Sequence, residues 1–153
     1  MTVTWRSAFS YAFVVGVLSW LTGVAVELGL MTLSEGSGGW SASRASDPWE
    51  LAFPPVAVLS LAVARRLLPP LPRWRVILTD GIGYTVVLLV YAGLVAWAAG
   101  DEAPADSAFV TGIIAMLSLQ LPAAWLLSAW RSGALAVVVT PMSAAQRARL
   151  MAD

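Results

Sequence analysis

The sequence predicts an all-α integral membrane protein of four transmembrane helices, arranged as two hairpins, with both termini on the cytoplasmic side. Three observations predict it. Hydrophobic residues make up 59% of the chain and charged residues 12%, against roughly 25% charged in an ordinary soluble domain. The apolar residues gather into four runs, about residues 8–30, 51–68, 76–99 and 108–130. Each approaches the roughly 20 residues that a helix needs to cross a bilayer. The charges, finally, are sorted by sign. Arg6, Arg65, Arg66, Arg73, Arg75, Arg131, Arg147 and Arg149 fall before the first run, around the second connection and after the last run. Glu35, Asp47, Glu50, Asp101, Glu102 and Asp106 fall around the other two connections, opposed only by Arg44. Basic short loops mark the cytoplasmic face, which gives the N-in, C-in orientation. Arg65, Arg66, Arg73 and Arg75 are its strongest orienting residues. The absence of lysine points to a GC-rich bacterium, and so to a bacterial cytoplasmic membrane.

The first run follows MTVTWR and exceeds 20 residues, too long for the 7–15-residue core of a signal peptide. It is expected to be an uncleaved span. Ala12, Gly16, Ser19 and Gly23 recur along it at helical spacing, and such small-residue stripes let helices approach closely in lipid. The stripe is expected to pack against another helix of the same chain. Glu27 continues the series about 26 Å along the helix from Ser10, at the outer interface.

The connection over residues 32–47 is rich in Gly and Ser and ends in Asp47-Pro48-Trp49-Glu50. That order suits a helix start, with a capping Asp, a Pro at the first helical position and a Glu in the first turn. Pro54 and Pro55 follow in the second turn, where each removes a backbone donor and bends the helix. The connection ARRLLPPLPRWR is short, stiff and basic, suited to anionic headgroups.

The third run opens with Asp80 about 7.5 Å beyond Arg75, near the inner headgroup boundary. A structural ion pair with Arg6 or Arg131 is expected. Asp80, Tyr84 and Tyr91 share one helical face, and Gly81 and Gly83 offer room for a neighbouring backbone. The fourth run, expected to be continuous, holds Ser118, Gln120 and Pro122 near its middle. Pro122 deprives the Ser118 carbonyl of its partner, and the Gln120 amide needs hydrogen bonds where water is absent. These groups should face the protein interior.

After it, residues 131–153 form a cytoplasmic tail. Ser143-Ala144-Ala145-Gln146 resembles a capping box, so a short interfacial helix is expected over residues 143–151. The whole chain, residues 1–153, reads as one membrane domain.

Function is less constrained. The chain has no Cys and no His, which removes disulfides, thiolate chemistry and imidazole-ligated metals. No metal site, cofactor or catalytic set is expected. No nucleic acid is expected as a partner either, leaving the bilayer and other membrane subunits or further copies of the chain. The favoured reading is a non-catalytic multi-pass subunit of a larger membrane complex, because the runs lack buried charge. The alternative is a small homo-oligomeric transporter or channel. It would use Glu27 or Asp80 with a polar path through Gln120, Tyr84 and Tyr91, since intramembrane ionisable groups commonly mark transport sites.

Overall fold

The computed structural model describes residues 2–35, 48–68, 72–134 and 137–138. Nearly all of them are helical. The helices are α1 (Trp5–Glu35), α2 (Pro48–Leu67), α3 (Arg73–Ala98), α4 (Pro104–Leu117) and α5 (Gln120–Arg131). A two-residue strand, β1 (Thr2–Val3), pairs antiparallel with β2 (Val137–Val138) and so ties the two ends of the bundle's chain together. The expected interfacial helix with Arg147 and Arg149, and the Asp47 cap, lie outside the described residues.

Two stretches are long and apolar enough to cross a membrane, Trp5–Leu33 and Arg73–Ala98. A third crossing is available if α4 and α5 count as one span, bent by 62° at its break. α2 has 20 residues, but Glu50, Pro54, Pro55, Arg65 and Arg66 interrupt its apolar character. The exterior matches: Phe13, Leu33, Val90, Leu94, Phe109 and Leu117 are all more than half exposed. An apolar surface this extensive needs lipid or protein against it.

Helical periodicity decides what is inside. On α1 the buried positions are Ala8, Tyr11, Ala12, Val15, Gly16, Ser19, Gly23 and Val24, and on α3 they are Val76, Asp80, Gly81, Tyr84 and Leu88. Both sets recur at three- and four-residue intervals, one stripe of a 3.6-residue helix. α1 packs between α2 and α5, while α3 packs against α2, α4 and α5. Four helices therefore close a ring, with α4 beside α3.

At the end of the bundle where β1 and β2 meet, here the terminal end, the arginines gather. Arg66 lies over the Trp5 ring at 5.7 Å and Arg75 over Trp74 at 5.0 Å. Arg131 donates to Ser10 Oγ at 3.3 Å. Arg73 donates to the Ala129 carbonyl at 2.8 Å and to Ser132 Oγ at 3.1 Å. It thus places a cation on the carbonyl end of α5, where the helix dipole favours one. Glu50, Asp101, Glu102 and Asp106 belong to helix starts and the turn at the opposite, distal end.

The small-residue stripe packs within the chain, as expected. A methyl group on Gly16 would meet the Val58 side chain at 3.0 Å, and one on Gly23 would meet Gln120 Cβ at 2.8 Å. Ala12 is fully buried, and the Ser19 hydroxyl returns its hydrogen bond to the Val15 carbonyl of its own helix. Gly81 differs from the expectation. Its neighbour is not a backbone but the Trp125 ring, which a methyl group at this position would meet at 2.4 Å, while Gly83 has nothing within 4 Å.

The fourth run differs most. It is broken, with Leu119 in the left-handed region at φ 62°. The Leu119 N–H donates to the Met116 carbonyl at 3.2 Å, one of the bonds of a Schellman-type helix end. α5 then restarts at Gln120 and puts Pro122 in its first turn, where a missing N–H has no intrahelical partner to lose. Pro122, four residues after Ser118, thus sits in the first turn of a new helix and does not kink a continuous one.

Candidate functional site

Along α3 the structure assembles a row of polar groups inside the ring. At the terminal end, Arg65 of α2 and Asp80 of α3 form an ion pair, with Nη2 2.7 Å from Oδ1. Both are buried, at 3% and 1% exposure. Tyr11 of α1 donates its hydroxyl to the other carboxylate oxygen of Asp80 at 2.5 Å. Arg65 also donates to the Thr79 hydroxyl, which passes its own proton back to the Arg75 carbonyl at 2.8 Å. Ser128 of α5 is wholly buried beside the Tyr11 hydroxyl. Three helices thus meet at one carboxylate, and α5 closes the cluster through Ser128 beside Tyr11.

This corrects two expectations. Asp80 pairs with Arg65, and not with Arg6 or Arg131. Arg65 is not a loop residue meeting headgroups. It sits one turn beyond Leu61 and two beyond Ala57, on the buried face of α2. The premise that the runs contain no buried charge therefore fails.

One turn along α3, Tyr84 is fully buried and accepts a hydrogen bond from Gln120 Nε2 at 3.0 Å. Gln120, 1% exposed, opens α5 at the break of the fourth run and packs against Gly23 of α1. As expected, its amide faces the interior. Ser118, on the other side of the break, buries its hydroxyl without a hydrogen-bond partner among the described residues. The Phe53 ring of α2 stands edge-on to Tyr84, centroids 5.6 Å apart, and touches the Tyr91 ring at 5.5 Å.

Tyr91 ends the row. Its hydroxyl donates to the Trp49 carbonyl, tying α3 to the first turn of α2. Here α2, α3 and α4 surround a cavity of about 170 Å³ with Phe53 and Leu88 at its buried side. Glu27 is partly exposed on α1, one turn past Gly23, about 6 Å along the axis from the Gly23–Gln120 contact.

Of the five candidate polar residues, Asp80, Tyr84, Tyr91 and Gln120 are brought into one row, and Glu27 stands outside it. Sequence reasoning missed Tyr11, Arg65 and Ser128. The signal for Arg65 was its phase, because Phe53, Ala57, Leu61 and Arg65 repeat every four residues. No group of three or more His, Cys, Asp or Glu is close enough to hold a metal among the described residues.

Comparison with protein-family models, with curated proteins and with solved structures found no match for this chain. Function is therefore read from the site itself.

Proposed function

We propose that the chain is a four-crossing membrane protein with both ends on the cytoplasmic side, and that it works as a small homo-oligomeric transporter. The observation that carries this reading is the broken fourth run, which opens α5 with Gln120 inside the ring, against Tyr84 of the polar row. Discontinuous helices with polar groups at the break are how membrane transporters build binding sites at depth. Buried ionisable groups within spans point the same way. Asp80, Tyr84, Gln120 and Tyr91 line the route, and the distal cavity is its vestibule. The antiparallel pairing of β1 with β2 supports an even number of crossings, because it keeps both ends together. The sorting of arginines to that end supports its cytoplasmic placement.

A second reading, the non-catalytic subunit of a larger complex, is favoured by one observation. The Asp80 carboxylate is already engaged by Arg65 and Tyr11, so the row also serves as internal glue.

The chain has no cysteine, so single-cysteine variants separate the readings. Gln120→Cys, Tyr84→Cys and, as sided controls, Asp101→Cys and Arg75→Cys would be exposed in sealed vesicles to a small membrane-impermeant thiol reagent. A transporter gives reaction at Gln120→Cys or Tyr84→Cys from at least one side. Folded protein that is unreactive at both positions from both sides, with Asp101→Cys labelled, overturns it in favour of the subunit. Labelling of the two controls from the same side would overturn the four-crossing topology.

A further inference from the structure

We propose that the seam between α1 and α5 holds one anionic glycerophospholipid, its phosphate on Arg6 and Arg131 and an acyl chain in the groove below them. The inference rests on the chain crossing a membrane and not on whether it transports anything.

The groove is open to the exterior and encloses about 510 Å³. Leu18, Leu21 and Ala25 of α1 line one side, and Ala123, Leu126 and Leu127 of α5 line the other. Leu18, Leu21 and Leu126 are 41%, 45% and 71% exposed, so leucines form the rim. The short side chains of Ala25 and Ala123 leave room between them. Thr22 also lines the groove, but its hydroxyl donates to the Leu18 carbonyl of its own helix at 2.8 Å. These walls therefore suit hydrocarbon, which gains by close packing against them.

Charge at the terminal end of the same seam fixes the occupant. Arg6, Ser10, Leu18 and Thr22 fall on one four-residue row of α1, and Ala123, Leu127 and Arg131 fall on one row of α5. Residues so spaced are neighbours on a helix surface. Arg131 crosses between the helices to Ser10 Oγ at 3.3 Å. This contact lies about 12 Å along α1 from Leu18, and Arg131 itself about 6 Å along α5 from Leu127. Arg6 stands one turn beyond Ser10, exposed. Among the described residues neither arginine meets a carboxylate, while Arg65 at the same end is paired with Asp80.

Depth agrees with this placement. Trp5 and Trp130, the sequence neighbours of the two arginines, are 48% and 67% exposed. Exposed tryptophans of a membrane protein sit at headgroup level. Guanidinium groups match phosphate oxygens in geometry as well as charge, and basic sites between spans bind anionic headgroups. A phosphate held between Arg6 and Arg131 directs its acyl chain along the seam and into the groove.

The test strips the full-length protein of lipid in detergent and offers equimolar dioleoyl phosphatidylglycerol and dioleoyl phosphatidylcholine. Native mass spectrometry then counts the lipid retained. One phosphatidylglycerol per chain is expected, preferred by about tenfold to thirtyfold, because each arginine contributes about fivefold. Arg6→Gln with Arg131→Gln should erase the preference, and Arg75→Gln should leave it unchanged. Ala25→Phe fills the groove and keeps both arginines. It should weaken dioleoyl phosphatidylglycerol but not the dihexanoyl form, whose chains are too short to reach the groove. Equal retention of the two dioleoyl lipids by the unaltered protein overturns the proposal without any variant. A preference that survives the double substitution, or dioleoyl binding indifferent to Ala25→Phe, overturns it as well. A lipid-free dimer that is lost in Ala25→Phe gives the groove to a second copy and has the same consequence.

Discussion

Two polar contacts one helical turn apart on α3 hold the bundle by different physics. At the terminal end, Asp80 meets Arg65 and Tyr11 as a buried ionic cluster. In the middle, Tyr84 meets Gln120 as a neutral pair squeezed against Gly23. The ionic cluster is conditional, because two charges removed from water are tolerable only together. The neutral pair is under no such condition, and its sensitivity is to shape. The difference teaches that depth in a membrane protein does not rank the importance of a polar group. What ranks it is the state in which its removal leaves its partner.

The largest predicted effect follows directly. Asp80→Ala leaves the Arg65 guanidinium buried and unpaired, and unfolding in detergent is expected to become easier by about 3–5 kcal/mol. The double variant Arg65→Met with Asp80→Leu removes both charges and should recover most of that loss. A double variant as unstable as the single one would mean that the ion pair itself, and not the orphaned charge, holds the helices. Tyr11→Phe, which removes one hydrogen bond from a carboxylate that keeps its arginine, should cost about 1 kcal/mol.

For the neutral pair the sharper tools are steric. Gly23→Ala puts a methyl 2.8 Å from Gln120 Cβ, and Gly81→Ala puts one 2.4 Å from the Trp125 ring. Overpacking of this kind is expected to cost about 1–3 kcal/mol. Gly29→Ala and Gly83→Ala meet nothing within 4 Å, so they should be neutral or gain up to about 1 kcal/mol from helix propensity. By contrast, Tyr84→Phe should cost only about 0.6 kcal/mol, the scale of an interhelical hydrogen bond in a bilayer. Thermal unfolding of the five variants would test the ordering. A Tyr84→Phe loss as large as that of Gly23→Ala would break the distinction between charge-held and shape-held contacts.

That distinction also marks where the sequence stopped being legible. The helices themselves were legible, because long apolar runs and punctuating Pro, Gly and charge act locally. So was the shared face of Asp80, Tyr84 and Tyr91, which depends only on helical phase. The inward direction of Gln120 followed from the cost of an unpaired amide in lipid. Arg65 was obscured by its neighbour, since Arg65-Arg66 before a proline-rich segment looks like one basic loop. Yet only Arg65 continues the buried four-residue repeat of α2, and Arg66 turns outward to Trp5. The break at Ser118-Leu119 was beyond reach for another reason. Pro122 announces a disturbance, but leucine gives no sign of adopting a left-handed conformation.

Leu119 accordingly offers a prediction between the two contacts in kind. A left-handed backbone costs a side-chain-bearing residue roughly 1–2 kcal/mol that glycine avoids. With Leu119 half exposed, Leu119→Gly should lose little packing and raise thermal stability by about 1 kcal/mol. Leu119→Val, branched at Cβ, should lower it. If Leu119→Gly is destabilising instead, the break is held by the leucine side chain and not by the proline-set restart of α5.

The smallest effect belongs to a third kind of carboxylate, exposed where Asp80 is buried. Asp101 accepts the Ser107 hydroxyl and the Ala103 N–H, two donors that favour its ionised form and hold its carboxyl below the ordinary value of 3.8. These bonds organise the turn into α4, whose first residue is Pro104 and whose capping position, Ala103, has no side-chain acceptor. A carboxyl depressed in the folded state stabilises it above the unfolded value, and that contribution fades as pH falls through the folded value. Thermal stability should therefore drop slightly on acidification below about pH 4. In Ser107→Ala, which loses the larger of the two donors, the same drop should shrink. An acid limb of the same size in Ser107→Ala would mean that these two hydrogen bonds do not set the Asp101 carboxyl.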